Sequence, residues 1–213
     1  MNDIDLNEIK VYHIVHISKL VAILKEGFLV SDAEIQKRPS VGVTIGMTKI
    51  KERRLSLPLS SVGLHVGDCV PFYFCPRSPM LYMLSRANHQ DIEYRGGQEP
   101  IVHLVFSMRN VINWAEQEGR KWAFTESNAG SRCFEDFADL ADLDKLDWNA
   151  IRATLWSGRQ DKKQAEFLVE KSLPWQLVEK IGVYSLEQYS EVCKILEAET
   201  SRPQISVERS WYY

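Results

Sequence analysis

Between Val11 and Ile17 the chain reads VYHIVHI, a β-branched and aromatic run that predicts a strand. Ser18 follows as a helix cap, and apolar positions then recur at helical spacing up to Gly27, so residues 11–27 predict strand, helix and glycine stop. From Ser31 to Ser61 the periodicity fades into polar and basic sequence. This predicts a functional loop with one short helix around Thr48 to Arg54. Residues 69–84, CVPFYFCPRSPMLYML, are the most apolar and aromatic stretch and carry three prolines. They should cross the core near a site, with Pro79 as the first residue of a helix.

Downstream, the pattern predicts a strand over Pro100 to Phe106, a helix over Arg109 to Glu118 and a short strand over Lys121 to Thr125. The loop TESNAGSR then reads as flexible. Phe134 to Trp156 reads as helical, with Asp147 capping a helix that runs through Ile151 to Trp156 and ends at Ser157 and Gly158. After the charged loop SGRQDKK come a strand at Gln164 to Val169, a short helix starting at Pro174, a strand IGVYS, a helix from Leu186 to Ala198 and a last strand QISVER. Strands and helices mix without regular βαβ alternation, which predicts an α+β fold. No repeat or linker divides residues 1–213, so a single domain is expected.

Composition narrows this picture. With 45% apolar and 26% charged residues the chain reads as an ordinary globular protein, and no stretch is apolar enough for a membrane span. The amino terminus MNDIDLNEIK is acidic where a secretory signal is basic and then apolar, so a cytoplasmic location is the default expectation. A net charge of -3 argues against indiscriminate coating of nucleic acid, so any such contact is local. Lys49, Lys51, Arg53 and Arg54 offer one local candidate, although a charge run is more often a solvated helix face. The four cysteines form no Cys-x-x-Cys pair, and His65, Cys69 and Cys75 match no standard zinc spacing; no metal is expected. Without a glycine-rich nucleotide motif, any NAD binding is not of the Rossmann kind.

Gln164 and Glu166 lie two apart on a predicted strand and so share a face, with Ala165, Phe167 and Val169 turned to the core. Spacing alone makes this pair a weak catalytic signal. His13 and His16 are an odd number apart and fall on opposite faces, where a hydrogen-bonded core histidine is the commoner outcome. Arg77, between prolines, suits a phosphate or carboxylate partner as well as it suits solvent. Trp156 and Tyr94 could stack on a base or simply pack in the core.

The blocks YHIVHI (12–17), KERR (51–54), VPFYFCPRSPMLY (70–82), GGQEPIVHL (96–104), KKQAEFLV (162–169) and the terminal WYY closely resemble the DarT-type bacterial DNA ADP-ribosyltransferases. These are toxins of toxin and antitoxin pairs, and the resemblance runs along almost the whole chain. It implies a single ADP-ribosyltransferase domain with a split, mostly antiparallel sheet whose cleft holds NAD. It implies Glu166 and Arg54 as catalytic residues, with the local ERR match favouring Arg54 over Arg53. By the same resemblance, His13, Ile14 and Val15 are expected to grip the nicotinamide end largely through backbone groups, with Ala22 and Val30 near the cofactor. Residues 41–59 match the family's NAD-binding element and residues 127–166 its substrate-reading loop, although TESNAGSR and LWSGRQDK match no family block. The implied reaction moves ADP-ribose from NAD to a base of single-stranded DNA, thymine favoured over guanine, and the implied partner is an antitoxin whose macrodomain removes the modification. Protein or RNA acceptors are an alternative, as is a catalytically silent nucleic-acid-binding module, against which intact Glu166 and Arg54 count.

Overall fold

The computed structural model describes residues 5–38 and 41–213; the first four residues of the acidic amino terminus and positions 39 and 40 of the basic loop lie outside the described residues. In chain order the strands are β1 (Lys10–His16), β2 (Phe28–Val30), β3 (Pro58–Leu59), β4 (Leu64–His65), β5 (Cys69–Tyr73), β6 (Ile101–Ser107), β7 (Trp122–Asn128), β8 (Asp136–Phe137), β9 (Ala165–Glu170), β10 (Ser172–Pro174), β11 (Lys180–Val183) and β12 (Gln204–Val207). The α-helices are α1 (Leu20–Glu26), α2 (Asp32–Ile35), α3 (Thr48–Arg54), α4 (Pro79–Arg86), α5 (Met108–Gln117), α6 (Trp148–Arg152), α7 (Gln160–Lys163) and α8 (Leu186–Ile195).

One sheet organises the molecule, in the order β12-β11-β6-β1-β5-β9-β7-β8, antiparallel throughout except for the parallel pair β11 and β12. Its pairing is uneven. β1 pairs along its whole length with β6, from Lys10 opposite Ser107 to His16 opposite Ile101. On its other edge it meets β5 only where Tyr12 stands opposite Tyr73. Past Tyr12 the sheet therefore parts, and β1 has N–H and C=O groups that alternate toward the gap. The α+β reading and the split, mostly antiparallel sheet both hold.

Burial on the two faces explains why the halves stay joined. Val11, Val15, Val70, Phe72, Phe167 and Val169 form one continuous core with Val111, Ile112 and Ala115 of α5 and Val192 of α8. The opposite face carries two smaller clusters. One sets Met47, Leu81 and Leu84 around Ile92 and Ile101, and the other joins Leu59, Val66, Ala129 and Leu168. β6 and most of β9 are buried on both faces, which is why neither shows clean alternation in sequence. Among the described residues no helix is long and apolar enough to cross a membrane.

Several expected elements form where the sequence placed them. α3 spans Thr48–Arg54, Pro79 opens α4 behind a Ser78 cap, and Gly27 ends α1 at φ 76, a backbone state that suits glycine. Others differ. Ser18 does not cap α1; its N–H instead donates to His16 Nδ1, and its hydroxyl accepts the Val43 N–H. The strand expected at 121–125 continues to Asn128, because Thr125 is buried and its hydroxyl donates to the Ser127 carbonyl at 2.7 Å, so the first half of TESNAGSR is sheet. Residues 134–156 are not mainly helical. They hold β8, a 3-10 turn at Leu140–Lys145 and α6, which Asp147 caps but which stops at Arg152. There the buried Lys163 ammonium donates to the carbonyls of Ile151 and Ala153, at 2.8 Å each. The charged loop SGRQDKK contains α7, whose C-cap is Gln164, so the strand begins only at Ala165.

Candidate active site

Glu166 is the second residue of β9 and stands opposite Tyr73 of β5, close to the seam where the sheet parts. It is a buried carboxylate, 4% exposed, and such a group needs partners. Helix α3 supplies the main one. Met47, Ile50, Lys51 and Arg54 follow helical spacing and all border the cleft, which sends Arg54 inward from the last turn. Arg54 Nη1 donates to Glu166 Oε1 at 3.0 Å and Nη2 to Oε2 at 2.8 Å, a bidentate pair. Arg53 points elsewhere, donating to the Gly130 carbonyl.

A turn after β7 completes the cage. The Ala129 N–H donates to Glu166 Oε1 at 3.2 Å, and the Glu166 N–H donates to the Thr125 hydroxyl at 3.2 Å. Asn128 donates its side-chain N–H to Gln164 Oε1 at 3.0 Å and accepts the Gly130 N–H at 2.7 Å. Gln164 thus reaches the site from the end of α7 and not from a shared strand face, which corrects the geometric argument for the pair while keeping the two residues together.

Electrostatics fix the protonation of the surroundings. Burial works against the Arg54 charge, but the Glu166 carboxylate more than offsets it, and the guanidinium binds its proton more tightly than usual. Burial, and then the nearby Glu166 charge, push the Tyr73 hydroxyl upward, so it stays protonated. His13 is shifted downward by burial and is neutral near pH 7; its Nδ1 lies 2.7 Å from the Pro71 carbonyl, so Nδ1 carries the proton.

The pair lies in a cleft of about 300 Å³, within the size range of small-molecule sites. His13, Ile14, Val15, Ala22, Val30, Arg54, Gln164 and Glu166 all border it. His16 borders it too, despite facing the other way, because the cleft runs along the freed edge of β1 rather than over one face. Val41 to Met47 form another wall. Arg77 does not join the site: its guanidinium lies 4.3 Å from the Tyr213 ring centre and borders a separate groove. Tyr94 packs edge-on against His16 and Trp156 edge-on against Tyr82.

Sequence reasoning missed Asn128, the Ala129 N–H, Tyr73 as the neighbour of Glu166, and the ion pair of Lys51 with Asp32 at 2.7 Å, both of which border the cleft. The Asn-Ala-Gly signature of a turn was available for the first two, but nothing local says that the turn faces residue 166. Among the described residues no cluster of histidine, cysteine, aspartate and glutamate is placed to hold a metal ion.

A buried carboxylate clamped by a guanidinium and a backbone N–H beside a cleft with apolar walls can stabilise positive charge developing on a bound substrate. Comparison with known proteins points the same way. The chain is 41% identical over 210 residues to a DNA ADP-ribosyl transferase of Thermus sp. (strain 2.9), covering 95% of each protein. The solved structure of Thermus sp. 2.9 DarT in complex with ADP-ribosylated ssDNA superposes with a TM-score of 0.86 at 40% identity, covering 96% of each chain. The same enzyme in complex with NAD+ gives a TM-score of 0.80 at 38% identity, covering 96% of this chain and 97% of that one. The family model described as ssDNA thymidine ADP-ribosyltransferase, DarT, matches residues 12–213, and this chain belongs to that family.

Proposed function

We propose that this chain transfers ADP-ribose from NAD to the thymine base of single-stranded DNA and releases nicotinamide, with Glu166 as the central catalytic residue. The observation that carries the reading is the bidentate Arg54–Glu166 pair beside a cleft bordered by His13, Ile14, Val15, Ala22 and Val30. Breaking the bond between nicotinamide and ribose leaves positive charge on the sugar. Glu166 opposes that charge more strongly in the transition state than in the ground state, which is what lowers the barrier. Held by Arg54 and the Ala129 N–H, the carboxylate is preorganised and needs little rearrangement as charge develops.

The open edge of β1 offers backbone groups from His13 to Val15 to the nicotinamide amide, and neutral His13 adds no charge there. Residues 41–59 serve as the NAD-binding element through the wall from Val41 to Met47 and through α3. Lys19 also borders the cleft and is the cation suited to the diphosphate, since Arg54 is engaged by Glu166 and Lys51 by Asp32. The same engagement favours Arg54 as an orienting and charge-balancing group over a proton acceptor, because it strengthens the hold on its proton.

Residues 127–166 act as the substrate-reading segment. Its first residues, Asn128 and Ala129, and its last, Gln164 and Glu166, meet at the site, so the segment is fastened at both ends beside the carboxylate it serves. The acceptor is single-stranded, since a base in a duplex reaches such a cleft only after unstacking. The family resemblance supports a cytoplasmic toxin role and a macrodomain-bearing antitoxin that reverses the modification.

Labelled NAD offered separately with single-stranded DNA, RNA and protein tests the reading. Label on thymidine-containing DNA alone is expected; label on RNA or protein alone would move the acceptor, and no consumption of NAD would leave only a binding module.

A further inference from the structure

Next to Met80 and Met83, which border the cleft, the structure holds an aromatic ledge that the catalytic account does not use. Helix α4 turns Met80 and Met83 into the cleft and leaves Tyr82, between them, 38% exposed. Trp156 packs edge-on against Tyr82 with ring centres 5.4 Å apart, and Tyr213 packs against the same ring at 5.1 Å. Next to Trp156, Leu155 is 91% exposed. A lone exposed leucine is ordinary, but one that adjoins in the chain a tryptophan packed on a partly exposed tyrosine adds to the apolar surface there.

The ledge is rigid. The Arg159 N–H donates to the Trp156 carbonyl at 2.9 Å across a turn that places Gly158 at φ 74. On the other side of Leu155, the buried Lys163 ammonium holds the carbonyls of Ile151 and Ala153. Tyr213 is anchored by its hydroxyl, which donates to the Arg77 carbonyl at 3.0 Å, and by its N–H, which donates to Gln98 Oε1 at 2.9 Å. Cations flank it: the Arg77 guanidinium covers the Tyr213 ring, and exposed Arg152 and Arg159 lie on either side of Leu155 and Trp156 in the chain.

We propose that Leu155, Trp156 and Tyr82 form the subsite for the nucleotide next to the modified base, its base stacking on the ledge and its phosphates facing the arginines. This rests on the reading of the cleft as the transfer site for single-stranded DNA. A target base turned into the cleft loses its stacking neighbour, and an aromatic surface next to Met80 and Met83 replaces that contact for the base left outside. Fixed rings do this at low entropic cost, and the cations suit the backbone of the strand.

The test uses single-stranded oligonucleotides with one thymidine and a base-less sugar placed on either side of it in turn. With the wild-type enzyme one of the two base-less positions is expected to raise KM for DNA about tenfold. In Trp156→Ala and Tyr82→Ala, KM for the intact strand rises by about the same factor, the base-less penalty disappears, and KM for NAD stays unchanged. Trp156→Phe restores stacking. Leu155→Ser, at a residue almost wholly in solvent, guards against a folding defect and is expected to move KM for DNA in the same direction. A base-less penalty that persists undiminished in Trp156→Ala, or the absence of any penalty in the wild type, would overturn the subsite. Failure of the wild type to modify the intact strand would instead overturn the acceptor reading on which it rests.

Discussion

Arg54 and Glu166 stand 112 positions apart in the chain and meet through two parallel hydrogen bonds in a buried site. One is delivered by the last turn of a short helix and the other by a strand next to the seam of the sheet. The fold is thereby organised around a charge pair that neither element could shelter alone.

Glu166→Gln keeps the shape of the side chain and removes its charge, so transfer to DNA should fall by about 10²- to 10³-fold. Removing one partner of a buried pair leaves the other uncompensated, and the same variant should lose about 3 kcal/mol of stability, read by denaturant unfolding. Arg54→Lys cannot span both carboxylate oxygens and should also lose most activity.

Arg53 and Arg54 are adjacent and chemically identical, but only Arg54 faces the carboxylate, whereas Arg53 is exposed and serves the Gly130 carbonyl. Arg53→Ala should retain activity within about tenfold, while Arg54→Ala should nearly abolish it. Equal losses in parallel kinetic assays would show that the assignment between them is wrong.

Gly67 lies directly beneath the end of α3. A Cβ at this position would stand 2.8 Å from Leu55 Cα and 2.9 Å from its backbone N, in the residue that follows Arg54. Gly67→Ala should therefore cost about 1–3 kcal/mol and shift the guanidinium away from Glu166. The expected readout is a lower melting temperature together with a reduced kcat, in a residue that touches no substrate.

Stability should depend on pH through His103, which is buried and donates Nε2–H to the Pro76 carbonyl at 2.9 Å. Burial pushes its pKa down from 6.5 to about 4. Between those values the unfolded chain takes up a proton that the folded chain refuses, so stability is full above about pH 6.5 and falls as pH drops toward 4. The loss from pH 7 to pH 5 should be about 2 kcal/mol, with His13 and His16 shifted in the same direction. Unfolding of His103→Gln across this range should show a flatter profile.

Much of this was legible in the chain. A short helix was expected where α3 forms, Pro79 marked the start of α4, and the β-branched and aromatic pattern located β1 and the region of β9. The segment 134–156 misled because its apolar residues serve a 3-10 turn, a two-residue strand and a short helix ended by Lys163, a distant contact with no local signature. Gln164 misled for a related reason: a four-residue helix, α7, interrupts what looks like an approach to a strand. At the site, spacing offered Glu166 only as half of a weak pair, and family resemblance added Arg54. The Ala129 N–H and the Asn128 bridge were invisible, since both are set by how β7 registers against β9.

The central claim is transfer of ADP-ribose to a thymine base through Glu166. Mass spectrometry of a mixed-sequence single-stranded oligonucleotide after incubation with NAD tests it most directly, with wild type and Glu166→Gln run side by side. One ADP-ribose adduct on thymine is expected with the wild type, and at least about 10²-fold less adduct with the variant. An adduct on another base, or equal adduct from the variant, would contradict it.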